Sequence, residues 1–104
     1  MKSEYVRPNK KVYLNFSNII VDIYDLGLDY MESYPTDYGT IIVEWSVKEG
    51  SVFSLEIGDS SIGYFSEVAG ESITTVDKLD LIKNYKESIL KLKQDIKLFL
   101  NKLK

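Results

Sequence analysis

Alternating apolar and polar residues between positions 39 and 67 constrain the fold of this chain more than any other feature. In residues 41–47 an apolar side chain stands at every second position, and residues 53–57 repeat the pattern. Alternation with a period of two is typical of a strand that has one buried face. Glycines follow both runs, Gly50 after the first and Gly58 after the second. We therefore predict an antiparallel β-meander over residues 39–67.

The register of the first hairpin follows from the requirement that its two apolar faces coincide. A three-residue loop, residues 48–50, sets Trp45 opposite Phe53, whereas a two- or four-residue loop would set it opposite a serine. This loop also puts Gly50 at the position that needs a positive φ. A slip by one residue would expose the whole apolar set. The predicted core face carries Ile41, Val43, Trp45, Phe53, Leu55, Ile57, Ile62 and Tyr64.

The length of the chain and its residue types bound the class of protein. A chain of 104 residues forms one domain, so we predict a single α+β domain over residues 1–104. Cysteine is absent, which excludes disulfides and thiolate ligands. The N-terminal residues lack the apolar run of a signal peptide, and no stretch is long enough to span a membrane. We expect a cytoplasmic protein of bacterial or phage origin that has no membrane partner.

The segment before the meander predicts a short helix. Residues 1–9 are expected to form a flexible arm, and residues 11–16 alternate as a short strand would. Ser17 is suited to cap a helix over residues 17–26, which ends just before a glycine. Residues 19–23 are rich in β-branched side chains, so a strand there stays an open alternative.

The segment after the meander predicts a last edge strand and a long helix. We place the strand at residues 73–76 and the helix at residues 77–103, with Asp77 as its N-cap. Apolar residues recur in this helix at alternating steps of three and four. Unbroken from residue 78, it would measure about 39 Å at 1.5 Å per residue. A seven-residue strand is only about 23 Å long, so the predicted helix overhangs the sheet unless it bends or breaks.

Two interpretations of the overhang are open. The distal half of the helix bends back onto the domain, or it pairs with a second copy of the chain or with another protein. The residues that would make this contact are Ile96, Phe99 and Leu103. Further leucines widen the apolar stripe, which is more typical of packing inside a globule or bundle than of a simple zipper.

Charge is segregated along the sequence. Residues 22–80 hold thirteen acidic and two basic side chains, whereas residues 81–104 hold seven basic and two acidic ones. Residues 1–15 hold four basic side chains and one acidic one. The basic ends either fold against the acidic middle, or leave an acidic sheet face that attracts a basic partner.

The residue types exclude several chemistries and leave one weak carboxylate pair. Histidine is absent, and so is any glycine-rich phosphate-binding motif, so we predict a non-enzyme with no cofactor and no metal. On the predicted register Glu44 and Glu56 are diagonal neighbours on the face opposite Trp45. Such a pair could hold a divalent ion or act as acid and base, but it is more typical of solvated residues on an exposed sheet face.

Lysines in the C-terminal segment raise the question of nucleic-acid binding. Acidic residues lie among them and the chain has a single arginine, a pattern that argues against direct binding. An acidic mimic of nucleic acid, directed at the basic groove of an enzyme, is the opposite hypothesis.

Residues 35–45, PTDYGTIIVEW, are followed by LEIG at 55–58 and by an aromatic strand at 62–65. This block resembles a scattered group of small uncharacterised bacterial proteins that share a G-x-I-x-x-E-W strand and a following L-E-I strand. The resemblance implies an α+β domain and an accessory role in a phage, mobile element or defence system. It implies no activity, because the shared residues mark a fold.

We predict a non-enzymatic protein–protein interaction module that uses the acidic sheet face or the distal helix, with a homodimer through that helix as one form of assembly. A nucleic-acid mimic that inhibits a nucleic-acid-processing enzyme is the alternative, and a carboxylate-dependent enzyme is third. The candidate contact residues are Glu44, Glu56, Phe65, Glu67, Ile96, Phe99 and Leu103.

Overall fold

The computed structural model describes residues 6–104 as a five-stranded antiparallel sheet with one helix before it and one after it. The predicted α+β fold is therefore confirmed. Each strand pairs with the next one in the chain, so the sheet is a meander throughout. In chain order the elements are helix α1 (Lys10–Ile23) with a 3₁₀ turn (Tyr24–Leu26), strands β1 (Met31–Pro35), β2 (Ile41–Lys48), β3 (Ser51–Ile57), β4 (Ser61–Val68) and β5 (Glu71–Asp80), and helix α2 (Tyr85–Lys102).

The predicted register of the β2–β3 hairpin is confirmed. Trp45 lies opposite Phe53, and Ile41 lies opposite Ile57. Gly50 has a φ of 76°, but Lys48 pairs with Ser51, so the loop consists of residues 49 and 50 and the predicted three-residue loop is one residue too long. An irregularity in the pairing between residues 46 and 48 keeps Trp45 opposite Phe53, so the register that the apolar alternation selects is retained.

Both helices pack on one face of the sheet and form a single hydrophobic core with it. Phe53 contacts the three other aromatic residues of this core that form ring pairs with it. The ring of Phe53 stacks on Tyr64 at 5.4 Å between centroids, and meets Trp45 at 6.0 Å and Phe99 at 5.6 Å edge to face. Such aromatic pairs add to the stabilisation that burial alone provides.

Helix α1 begins earlier than the sequence predicts, and the predicted strand at residues 11–16 is wrong. Asn9 caps the helix, its side-chain oxygen accepting the backbone N–H of Val12 at 3.0 Å. The buried positions include Val12, Asn15 and Ile19, which are spaced as the residues on one face of a helix are. The sequence does not show this apolar periodicity clearly, because Asn15 is polar. The Asn15 amide donates to the carbonyl oxygens of Gly58 at 2.9 Å and Asp59 at 3.1 Å, which fastens α1 to the β3–β4 turn.

Strand β5 extends to Asp80, so Asp77 is a strand residue and the predicted N-cap is wrong. The Asp80 carboxylate instead accepts the backbone N–H groups of the next turn, including that of Lys83 at 2.7 Å. This turn separates the strand from α2. Because α2 has 18 residues, it is about 27 Å long and matches the strands in length.

The shorter helix removes the overhang on which part of the contact prediction depended. Ile96 and Phe99 are fully buried in the core, so their assignment to an exposed contact surface is wrong. Leu103 is half-buried and packs against the same core. Neither helix in the described part of the chain is long and apolar enough to cross a membrane.

Candidate interaction surface on the open face of the sheet

The face of the sheet away from the helices is covered by no element of residues 6–104. Its members follow from the pairing, because residues directly opposite each other point to the same side. One row runs across all five strands, from Glu32 through Glu44, Ser54 and Phe65 to Thr75. We define the open face as Glu32, Tyr34, Ile42, Glu44, Ser46, Val52, Ser54, Glu56, Gly63, Phe65, Glu67 and Thr75.

Glu44 and Glu56 occupy the diagonal positions on β2 and β3 that the sequence predicts. Each carboxylate has its own hydroxyl partner. Thr40 donates to Glu56 at 2.7 Å, and Ser54 donates to Glu44 at 3.5 Å, the second bond being long. Among residues 6–104 no group of three or more carboxylates is placed to hold a metal ion. The arrangement therefore presents two separate, hydrogen-bonded anions to the solvent.

Strand β1 adds a third carboxylate to this row. Glu32 lies directly opposite Glu44, and like charges in this position repel each other. Tyr34 lies next to them, and partial desolvation together with the Glu44 carboxylate raises its pKa. A cationic group bound here would relieve the repulsion between the two carboxylates.

A shallow groove with a volume of about 230 Å³ and a mixed polar and apolar lining crosses the open face from β2 to β5. Phe65 forms one wall of it and is 42% exposed. The floor is open because Gly63 has no side chain. A Cβ atom at Gly63 would lie 2.6 Å from the carbonyl oxygen of Asp77, so the approach of β5 requires glycine at this position. The groove thus has an aromatic wall beside a row of anions.

Four of the predicted contact residues, Glu44, Glu56, Phe65 and Glu67, lie together on the open face. Sequence reasoning missed Glu32 and Tyr34 because the register of β1 is not fixed by a short turn, and it missed Thr75 because the edge strand was assigned without a pairing. Neither β1 nor residues 71–76 has an apolar alternation that could have placed these residues on one face of the sheet.

Comparison of the chain with protein-family models gives no match, and neither does comparison with curated proteins or with solved structures. The resemblance of residues 35–65 to small bacterial proteins stays a prediction. The function is therefore argued from the open face itself.

Proposed function

We propose that this chain is a protein–protein interaction module that binds a partner with a basic contact surface through the open face. The observation that supports the proposal is the uncovered row across five strands, in which Phe65 stands among glutamates. The residues of the open face as defined include four glutamates and no lysine or arginine, and Lys78 of β5 lines a cleft with Glu56 and Gly63 at its margin. The field of the open face therefore favours a cationic partner over an acidic or neutral one.

The aromatic residues provide the specific part of the proposed contact. Phe65 and Tyr34 are both partly exposed, and Phe65 lies on β4, one strand away from the β5 edge of the sheet. Aromatic side chains are enriched among the residues that dominate the binding energy of an interface. We infer that Phe65 is the anchor of the contact and that the surrounding carboxylates select and orient a basic partner.

The size of the open face limits the affinity. Five strands at about 4.8 Å spacing and six residues at about 3.3 Å cover a plan area of roughly 500 Å². A standard stable interface buries about 800 Å² on each partner, so the sheet face alone suits a contact of moderate strength. A tighter complex would need additional contacts from the rim of the domain.

A nucleic-acid mimic is the second candidate, since a row of carboxylates also imitates a row of phosphates. The two candidates differ in the partner and in the salt dependence. A mimic binds the basic groove of a nucleic-acid enzyme and weakens steeply with salt, whereas a contact anchored on Phe65 keeps part of its affinity at high salt.

The proposal is tested by affinity capture with matched charge reversals. The immobilised chain is compared with the double variant Glu44→Lys/Glu56→Lys. The control is Glu49→Lys/Glu71→Lys, which changes the net charge by the same amount at exposed positions that lie outside the open face. We expect proteins that the unaltered chain and the control retain equally and that the open-face variant loses. Equal retention by all three proteins would refute the proposal.

A further inference from the structure

A second concave site lies on the opposite side of the sheet, between the end of α1 and the start of β1. We name it the helix-end cavity. Its volume is about 550 Å³, within the range of roughly 300–1,000 Å³ that is typical of small-molecule sites. The cavity is lined by Ile20, Ile23, Tyr24, Asp25, Gly27, Leu28, Asp29, Tyr30, Met31 and Trp45.

The floor of the helix-end cavity is apolar. Trp45 is 2% exposed and is the only tryptophan of the chain. Met31 lies directly opposite it on β1, so both side chains point to the helix side of the sheet. Ile20 and Ile23 close the floor from the last turn of α1. Because Trp45 and Ile23 are almost fully buried, a ligand that enters the cavity would bury apolar surface mainly on Ile20, Leu28 and Met31 and would lie close to Trp45.

The backbone between α1 and β1 lines the cavity. Gly27 has a φ of 93° and ends the 3₁₀ turn, and Tyr30 has a φ of 61° just before β1. A left-handed conformation costs a non-glycine residue free energy, and such positions often occur at functional sites. Both left-handed residues are among those that line the cavity.

The rim of the cavity is aromatic and anionic. Tyr24 and Tyr30 are 82% and 86% exposed, which is unusual for two large rings on one rim. Asp25 and Asp29 stand beside them, and the lining includes no lysine or arginine. Carboxylates and the faces of tyrosine rings both attract cations, and the apolar floor favours an uncharged hydrocarbon or aromatic group.

We propose that the helix-end cavity binds a small organic cation with an apolar body, an aromatic amine being the simplest member of the class. The apolar body lies on Met31, close to Trp45, and the ammonium group lies at the rim near Asp25 and Asp29. The cavity shares no residue with the open face. Its ligand is therefore independent of the partner proposed above.

The position of Trp45 provides a direct assay. The chain is titrated with 2-phenylethylamine at about 20 mM salt while Trp45 fluorescence is followed, and 2-phenylethanol and 3-phenylpropionate are the neutral and anionic controls. We expect a saturable change with the amine and an affinity about tenfold above that of the alcohol, since the two exposed carboxylates and the tyrosine rings each favour the cation by a few fold at low salt. The propionate should bind more weakly than the alcohol.

Replacing the two rim carboxylates by amides tests whether they cause the preference for the amine over the alcohol. Asp25→Asn/Asp29→Asn should lower the affinity for the amine to that of the alcohol, while Glu71→Gln/Asp77→Asn, which removes two charges elsewhere, should leave it unchanged. Far-UV circular dichroism shows whether each variant is folded. The proposal is overturned if the folded chain gives no saturable change up to about 10 mM amine, or if amine and alcohol bind equally well.

Discussion

Replacing Phe99 by alanine tests whether the distal part of α2 belongs to the core or to an assembly surface. Phe99 is 0% exposed and its ring meets Phe53 edge to face. Phe→Ala substitutions in cores cost about 3–5 kcal/mol, out of the roughly 5–15 kcal/mol that stabilise a domain. The neighbouring Leu98 is 40% exposed, and Leu98→Ala should cost well under the buried substitution. The two variants thus compare a core and a surface position of one helix turn.

The assay is urea unfolding followed by Trp45 fluorescence and far-UV circular dichroism. With a slope of about 1.5 kcal/mol per M urea, a loss of about 4 kcal/mol lowers the midpoint by nearly 3 M. Leu98→Ala should lower it by less than about 0.7 M on the same slope. Light scattering on the folded proteins should give the same mass for both variants and the unaltered chain.

Two results would refute the placement of Phe99. Equal midpoints for the two variants would mean that Phe99 is not buried. A normal midpoint for Phe99→Ala together with a lower mass in solution would make the distal helix an assembly element, as the sequence-based interpretation of Ile96 and Phe99 proposed.

Three further predictions concern the sheet and its junction with α2. Tyr64→Phe removes the 2.6 Å hydrogen bond that Tyr64 donates to buried Asp95. It should lower the free energy of unfolding, measured in urea, by about 1–3 kcal/mol, whereas a Tyr→Phe substitution at an exposed position should not. Backbone N–H groups, that of Lys83 above all, lower the pKa of Asp80 from 3.8, so its contribution to stability is present above pH 4 and is lost as the pH falls through the lowered pKa. The difference in free energy of unfolding between the unaltered chain and Asp80→Asn should therefore become smaller as the pH is lowered, and a difference that does not change with pH would contradict this. Gly63→Ala should destabilise by about 1–3 kcal/mol, because its Cβ meets a backbone carbonyl of β5 at 2.6 Å, and an unchanged melting temperature would show that β5 moves freely.

The central part of the fold is predictable because the apolar alternation is strong there. This alternation selects the register that brings Trp45 to Phe53, and Gly50 has the positive φ that the predicted turn needs. The side of each meander residue follows from that register. Glu44, Glu56 and Phe65 are therefore placed on one surface by the sequence alone.

The ends of the chain are less predictable because tertiary contacts decide them. Asn15 is a polar residue in a buried helical stripe, and only its bonds to the β3–β4 turn explain its position. The sequence predicts Asp77 as the N-cap of the last helix, and the pairing of β5 with β4 as far as Asp80 makes Asp77 a strand residue instead. Tyr30, which lines the helix-end cavity, adopts a left-handed conformation that no pattern in the sequence indicates.

The most direct test of the open face as the binding surface is the affinity of a captured and purified partner for three forms of the chain, measured by titration calorimetry. The forms are the unaltered chain, Phe65→Ala, and Leu90→Ala as a control for an exposed apolar residue on the helix side. We predict that Phe65→Ala weakens binding at least about tenfold and that Leu90→Ala changes it less than about twofold. An unchanged affinity for Phe65→Ala, with a loss for Leu90→Ala, would contradict the account and place the contact on the helices.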